Sequence, residues 1–318
     1  MVFQFYIDKL DGFNKFLYIV RVCKAILPKL SDHSSDNYYK SVHSKYATSL
    51  RMLGRNVESI AEFDKLLLEK NDSSTIASIH VSCGYSNLTL VDYPQARECA
   101  KKAKATKVKG AWAYHADSIE ILASEAEGRF GKLKKLASKA RKDKCYISAN
   151  NMEFDLIEQC NDESQKLDQY RKLWKQAKQD HDTYNMLRSI ANCCDIAMNL
   201  GLDISEEETH LLLEAYKFSY GQRQNGMFTR CHKALWQFFE RHDSLENLLI
   251  LYRHSSILQR LTGKDTREKD YLARLIKKIL EVGSDLTAVD ESVKRYFIAR
   301  ALSHNLMSNQ HISKLLGV

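Results

Sequence analysis

An all-α fold, arranged as an α-solenoid of stacked antiparallel helical hairpins, is what this amino-acid sequence calls for, on three grounds. The 318 residues include only two prolines and twelve glycines, too few to punctuate the many short strands and tight turns of a β protein. One helix face recurs at a fixed interval: "MLGRNVESIAEFDKLLLEKN" (52–71), "TLVDYPQARECAKKAKATKV" (89–108) and "EAEGRFGKLKKLASKARKDK" (125–144) align so that Ser59, Ala96 and Leu133 stand 37 residues apart. Phe63, Ala100 and Ala137 keep the same spacing, as do Leu66, Ala103 and Ala140. Within each segment these positions are i, i+4 and i+7, which line one side of a helix. The breaks between periodic stretches are also short, as expected where consecutive helices run antiparallel.

Residues 1–39 read as an N-terminal capping helix or helices. The opening "MVFQFYIDKLDGFNKFLYIVRVCK" is rich in aromatics, but Asp8, Lys9, Asp11, Lys15 and Arg21 interrupt it, which argues against a signal peptide or a spanning helix. No membrane association is expected, and the expected location is cytoplasmic. The eight cysteines (23, 83, 99, 145, 160, 193, 194 and 231) contain no C-x-x-C pair; reduced, mostly buried thiols are expected rather than a disulfide framework or a metal centre.

Residues 40–145 hold the repeating part. Each aligned segment follows a break (Gly54-Arg55, Val91-Asp92, Gly128-Arg129) and an upstream helical stretch. The small inward residues allow close approach, and one hairpin cannot bury its apolar stripe alone, so copies must stack. The pattern resembles the tetratricopeptide repeat family, in which a glycine-type break precedes a helix bearing small, aromatic and small residues. Ser59/Phe63/Leu66 and Ala96/Ala100/Ala103 follow it best. The period here is 37 rather than the family's roughly 34, the closing proline is absent, and His43 and His80 replace an early large aromatic.

From 146 to 318 divergent helical repeats are expected to continue, without a fixed period, to C-terminal capping helices. The periodicity places helices over 151–160, 164–179, 183–200, 205–220, 227–241, 244–262, 267–282, 288–305 and 309–316.

The resemblance implies that the first helix of each hairpin lines a concave groove for a protein or peptide partner. The groove positions are then Ser41, Ser44, Thr48, Arg51, Ser78, Tyr85, His115, Ser118 and Glu125. It further implies a non-catalytic interaction module, a scaffold, adaptor or sensor subunit, with no cofactor. A second feature is charge. Between 97 and 144 there are fourteen Lys/Arg against six acids, and this excess equals the +8 of the whole protein. The basic band consists of Arg97, Lys101, Lys102 and Lys104 on one segment with Lys132, Lys134, Lys135, Lys139, Arg141 and Lys142 on the next. If the two basic helices stack, the 37-residue shift brings Arg97 over Lys134, Lys102 over Lys139 and Lys104 over Arg141. Such a band suits nucleic acid or an acidic protein, which makes a nucleic-acid-associated regulator the alternative function. No aromatics interleave the lysines to stack single-stranded bases.

Catalytic signatures do not assemble. The chain contains no G-x-G-x-x-G, P-loop, H-E-x-x-H or G-x-S-x-G pattern. One all-helical ribonuclease family pairs an arginine with a histidine after four to six residues; Arg300 and His304 have three between them. "LMSNQHISKLLGV" at 306–318 resembles the first helix and turn of a helix-turn-helix DNA reader, but the sequence stops where the reading helix would begin.

Overall fold

The computed structural model describes residues 7, 10, 16–30, 36–124, 128–222, 225–242, 244–262, 268–282 and 290–303, and all regular structure among them is helical. The chain divides into two compact units, 1–193 and 194–318, with the boundary inside one helix, Thr183–Asn199. Among the described residues no helix is long and apolar enough to cross a membrane.

In the first unit α1 (Phe16–Ile26) leads through a 3-10 turn into four hairpins: α2 (Asn37–Met52) with α3 (Asn56–Leu67), α4 (Ser73–Thr89) with α5 (Tyr93–Ala105), α6 (Ala111–Leu122) with α7 (Arg129–Lys142), and α8 (Tyr146–Glu158) with α9 (Glu163–Gln179). Helix α10 (Thr183–Asn199) follows. From α2 to α9 each helix packs on the next, and the leading helices α2, α4, α6 and α8 also pack on one another. All nine inward positions of the aligned segments are at most 4 % exposed. They fall into consecutive clusters: Phe63 and Leu66 with Ala47, Ile79 and Cys83; Ala96, Ala100 and Ala103 with Val81, Ala116 and Ile119; and Leu133, Ala137 and Ala140 with Tyr114, Ala149 and Met152. Each cluster thus joins a second helix to the first helices before and after it. The α4–α6 approach is close enough that a Cβ on Gly84 would lie 2.9 Å from Ile119 Cδ1. That explains a glycine inside a helix, where its backbone entropy is otherwise a cost.

The backbone carries the same interval. Gly54, Val91 and Gly128, at the ends of the leading helices, all have positive φ, and so do Lys107, Lys144 and His181 at the ends of the second helices. Both series step by 37. A left-handed residue there lets the following N–H reach back five residues to an otherwise unpaired carbonyl, as in Arg55 to Leu50, Asp92 to Asn87, Cys145 to Ala140 and Asp182 to Ala177. The register therefore continues beyond 145. Stepping on from Leu133, Ala137 and Ala140 leads to Tyr170, Trp174 and Ala177 of α9, all at most 2 % exposed. Carboxylates cap the starts: Asp72 accepts from the Thr75 N–H, Asp92 from Gln95, and Asp162 from Ser164 and Gln165.

The second unit contains α11 (Glu206–Gln222), α12 (Asn225–Arg241), α13 (Leu245–Thr262), α14 (Glu268–Val282) and α15 (Glu291–Ser303). Helix α11 packs on α12, α12 on α13, and α13 on both α14 and α15. Ser205 and Glu208 form a capping box, each side chain accepting from the other's backbone N–H. The core is aromatic. His232, 2 % exposed, lies against Phe228, Trp236 and Tyr271, and its Nε2 donates to the Leu251 carbonyl at 3.0 Å. Burial pushes its pKa down to about 4, against the pull of that hydrogen bond, so it is a neutral core residue.

The helices expected between 164 and 282 occur within two residues of their expected ends. The one expected at 151 begins at Tyr146, because the left-handed Lys144 has already closed α7. The expected segment 309–316 lies outside the described residues. All eight cysteines are free thiols, six of them buried. Burial pushes Cys23 and Cys83 up to about 12, which keeps them protonated.

Candidate functional site

Eight of the nine expected groove residues are described, on α2 (Ser41, Ser44, Thr48, Arg51), α4 (Ser78, Tyr85) and α6 (His115, Ser118); Glu125 lies outside the described residues. Four of them come together at one place. The Arg51 guanidinium stands over the Tyr85 ring at 5.9 Å, and the Tyr85 hydroxyl hydrogen-bonds to His115 Nδ1 at 2.9 Å. His115 Nε2 in turn bonds the Ser148 hydroxyl of α8 at 3.1 Å. Ser118, fully buried, lies beside the Tyr85 hydroxyl without forming a well-aligned hydrogen bond to it. Ser41, Ser44, Thr48 and Ser78 are half-buried on α2 and α4 and are not links in the Tyr85–His115–Ser148 chain.

Sequence reasoning missed the contributors from α8 and α10. Asp155 and Arg188 both act electrostatically on the Tyr85 phenol, and Tyr184 acts on Arg51. The Arg188 guanidinium carbon lies over the Phe154 ring, 3.4 Å from its centroid, a cation–π contact. Asp155 had a signal: it stands 37 residues after Ser118 and would have been found had the register been carried past 145. Arg188 had none, since its counterparts at that interval, Tyr114 and Asn151, are of unrelated chemistry.

The electrostatics of the cluster follow from its enclosure. Burial, helped by the Arg51 charge, pushes His115 down to about 4, so the imidazole is neutral near pH 7, with one ring nitrogen donating and the other accepting. Burial pushes Asp155 up to about 6; Arg188 opposes the rise and Glu158 adds to it. Burial and then the Asp155 charge raise the Tyr85 phenol. Arg51 is lowered by burial, and the groups that act against this, Tyr184, Tyr85 and Cys83, are phenols and a thiol rather than carboxylates.

The basic band divides in two. On α5, Arg97 donates to the Ala123 carbonyl at 2.7 Å, Lys102 pairs with Glu98, and Lys104 sits between Asp117 and Glu120 at 2.9 and 2.7 Å. On α7, Arg141 binds Glu153 at 3.0 Å, Asp180 at 2.8 Å and Asn150 at 2.7 Å. Helix α6 packs on both α5 and α7, and Lys104 and Arg141 each turn toward the next leading helix instead of facing one another. What stays open is mostly α7. Lys132, Lys134, Lys135 and Lys142, with Lys101 of α5, are exposed and have no ion pair among the described residues, and Lys139 reaches over the Tyr114 ring at 5.9 Å. Two open grooves share Lys135 and Lys139. One, of about 590 Å³, also touches Asp117, Glu120, Arg129 and Lys132; the other, of about 430 Å³, adds Lys134, Ser138 and Lys142.

Of the weighed catalytic pair, Arg300 is taken by a buried carboxylate, Glu268, at 2.7 Å, while His304 and the segment 306–318 lie outside the described residues. No protein-family model matches the chain, and no curated protein matches it in sequence.

Proposed function

We propose that the protein is a non-catalytic interaction module, a scaffold, adaptor or sensor subunit. In this reading residues 37–182 form a tetratricopeptide-like stack whose leading helices hold a protein or peptide partner. The observation that carries it is the convergence of Arg51, Tyr85, His115 and Ser118, from three successive leading helices, on one polar cluster. The hydrogen bonds through His115 to Ser148 fix the Tyr85 ring across adjacent helices, which gives a pre-set surface with little ordering cost on binding. The test selects short random peptides on the immobilised protein and then measures the selected sequences in solution. Ser44→Arg and Thr48→Trp, which fill the half-buried face of α2, are expected to weaken them about tenfold or more while leaving helicity unchanged. Peptides that bind both variants as tightly as the parent, or a selection that yields none, would count against this function.

The unpaired lysines of α7 favour a second reading, a nucleic-acid-associated regulator using the basic band at 97–144. Under it, the four-fold change of Lys132, Lys135, Lys139 and Lys142 to Glu abolishes retention on double-stranded DNA. The salt dependence should also become shallower by about 0.9 in log–log slope for each phosphate contact removed. Unchanged retention removes this reading, and the same variant should still hold peptides selected on the leading helices.

A further inference from the structure

One cation on this face has no counter-charge among the described residues. Arg141 has Glu153 and Asp180, and Arg300 has Glu268. Arg188 has the Asp155 charge beside it. Arg51 differs from all of these. Its Nε is buried without a hydrogen-bond partner, its guanidinium faces the Tyr85 ring, and no carboxylate among the described residues pairs with it. A guanidinium cannot give up its proton near neutral pH, so the free protein carries an enclosed charge whose desolvation is offset by a ring face and not by a carboxylate.

We infer that Arg51 is the seat for a carboxylate on the bound peptide, an Asp or Glu side chain lying against the Tyr85 ring. This rests on the binding-face reading above. One negative charge is what Arg51 lacks: Asp155 lies beside Arg188, and the groups that act on Arg51 are phenols and a thiol. A carboxylate supplies that charge and matches the planar donor fork in two parallel hydrogen bonds. A phosphoryl dianion overshoots that single charge. Tyr85, held by His115, supplies a flat wall that fixes the plane of the fork.

The test uses the full chain carrying Lys132, Lys135, Lys139 and Lys142 changed to Gln, so that α7 contributes no attraction. Peptides selected on it are synthesised with amidated C-termini, and each Asp or Glu is replaced in turn by Asn or Gln. One such replacement is expected to weaken binding about tenfold to a hundredfold, and in Arg51→Met that penalty should vanish. Without peptide, Arg51→Met is expected to raise the melting temperature by about 2–4 °C, because it removes an unanswered charge; a purely structural arginine would lower it. Binding that returns only with a free C-terminus keeps the carboxylate and moves it to the chain end. Peptides that bind the face with no carboxylate, an acid penalty that persists in Arg51→Met, a lowered melting temperature, or tighter binding when phosphoserine replaces the acid each overturn the inference and leave the binding face standing. Failure to select any peptide overturns both.

Discussion

Trp174→Ala is expected to destabilise the 1–193 unit by about 3–5 kcal/mol, the range for emptying a fully buried large aromatic site. Trp174 is 2 % exposed and occupies the position that Ala137 and Ala100 fill one and two repeats earlier, so a side chain of quite different volume serves the same place in the stack. Close packing means that the neighbours of α9 are set for the indole, and collapse around an alanine can be only partial. Trp174→Phe should cost much less. The indole Nε1 has no hydrogen-bond partner among the described residues, so losing it sacrifices no bond while most of the ring remains. Urea unfolding followed by far-ultraviolet circular dichroism measures both. The effect should also reach the Tyr85–His115 cluster, because α9 packs on α8, which carries Ser148 and Asp155. A loss under about 1 kcal/mol for the alanine variant would show that α9 does not fill its site as described.

That substitution also marks where the sequence stopped being legible. Small residues at 96, 100, 103, 137 and 140 revealed the interval because a helix interface made of alanines is readable as a pattern. Once Tyr170 and Trp174 replaced them, burial persisted but residue type no longer signalled it. The helix ends show the same limit. Gly54 and Gly128 are readable as left-handed closures because glycine has no Cβ to clash, whereas Val91, Lys107, Lys144 and His181 adopt positive φ with side chains that give no such hint. Only the register locates them. Of the nine groove positions the alignment proposed, Arg51, Tyr85, His115 and Ser118 meet in the structure. Their partners Arg188 and Ser148 come from helices whose sequence had drifted, and which neighbours meet across a stack depends on packing that no single segment encodes. The basic band was legible as composition but not as a surface, since Arg97, Lys104 and Arg141 are held within the fold by partners on other helices.

Glu268→Gln is expected to cost about 3–5 kcal/mol in the 194–318 unit, the penalty for leaving one member of a buried ion pair alone. Glu268 is 3 % exposed, and its Oε1 accepts from Arg300 Nε at 2.8 Å, Ser256 at 2.8 Å and Tyr252 at 3.0 Å. Burial works against the carboxylate, but the hydrogen bonds from Ser256, Arg300 and Tyr252 and the Arg300 charge outweigh it and hold the pKa below its ordinary 4.5. The sign for pH follows. A depressed carboxylate pKa stabilises the fold above the ordinary carboxylate range, and that contribution is lost as pH falls through the folded value. The parent should therefore lose stability on acidification more steeply than Glu268→Gln, whose amide does not titrate. Adding Arg300→Met should return most of the loss, because the remaining amide oxygen can still accept from Tyr252 and Ser256 while the stranded guanidinium is gone. Guanidinium-chloride unfolding across pH 3 to 7 separates the cases: equal acid sensitivity in parent and Glu268→Gln, or no recovery in the double variant, would mean that Arg300 does not serve this carboxylate and is free for another role.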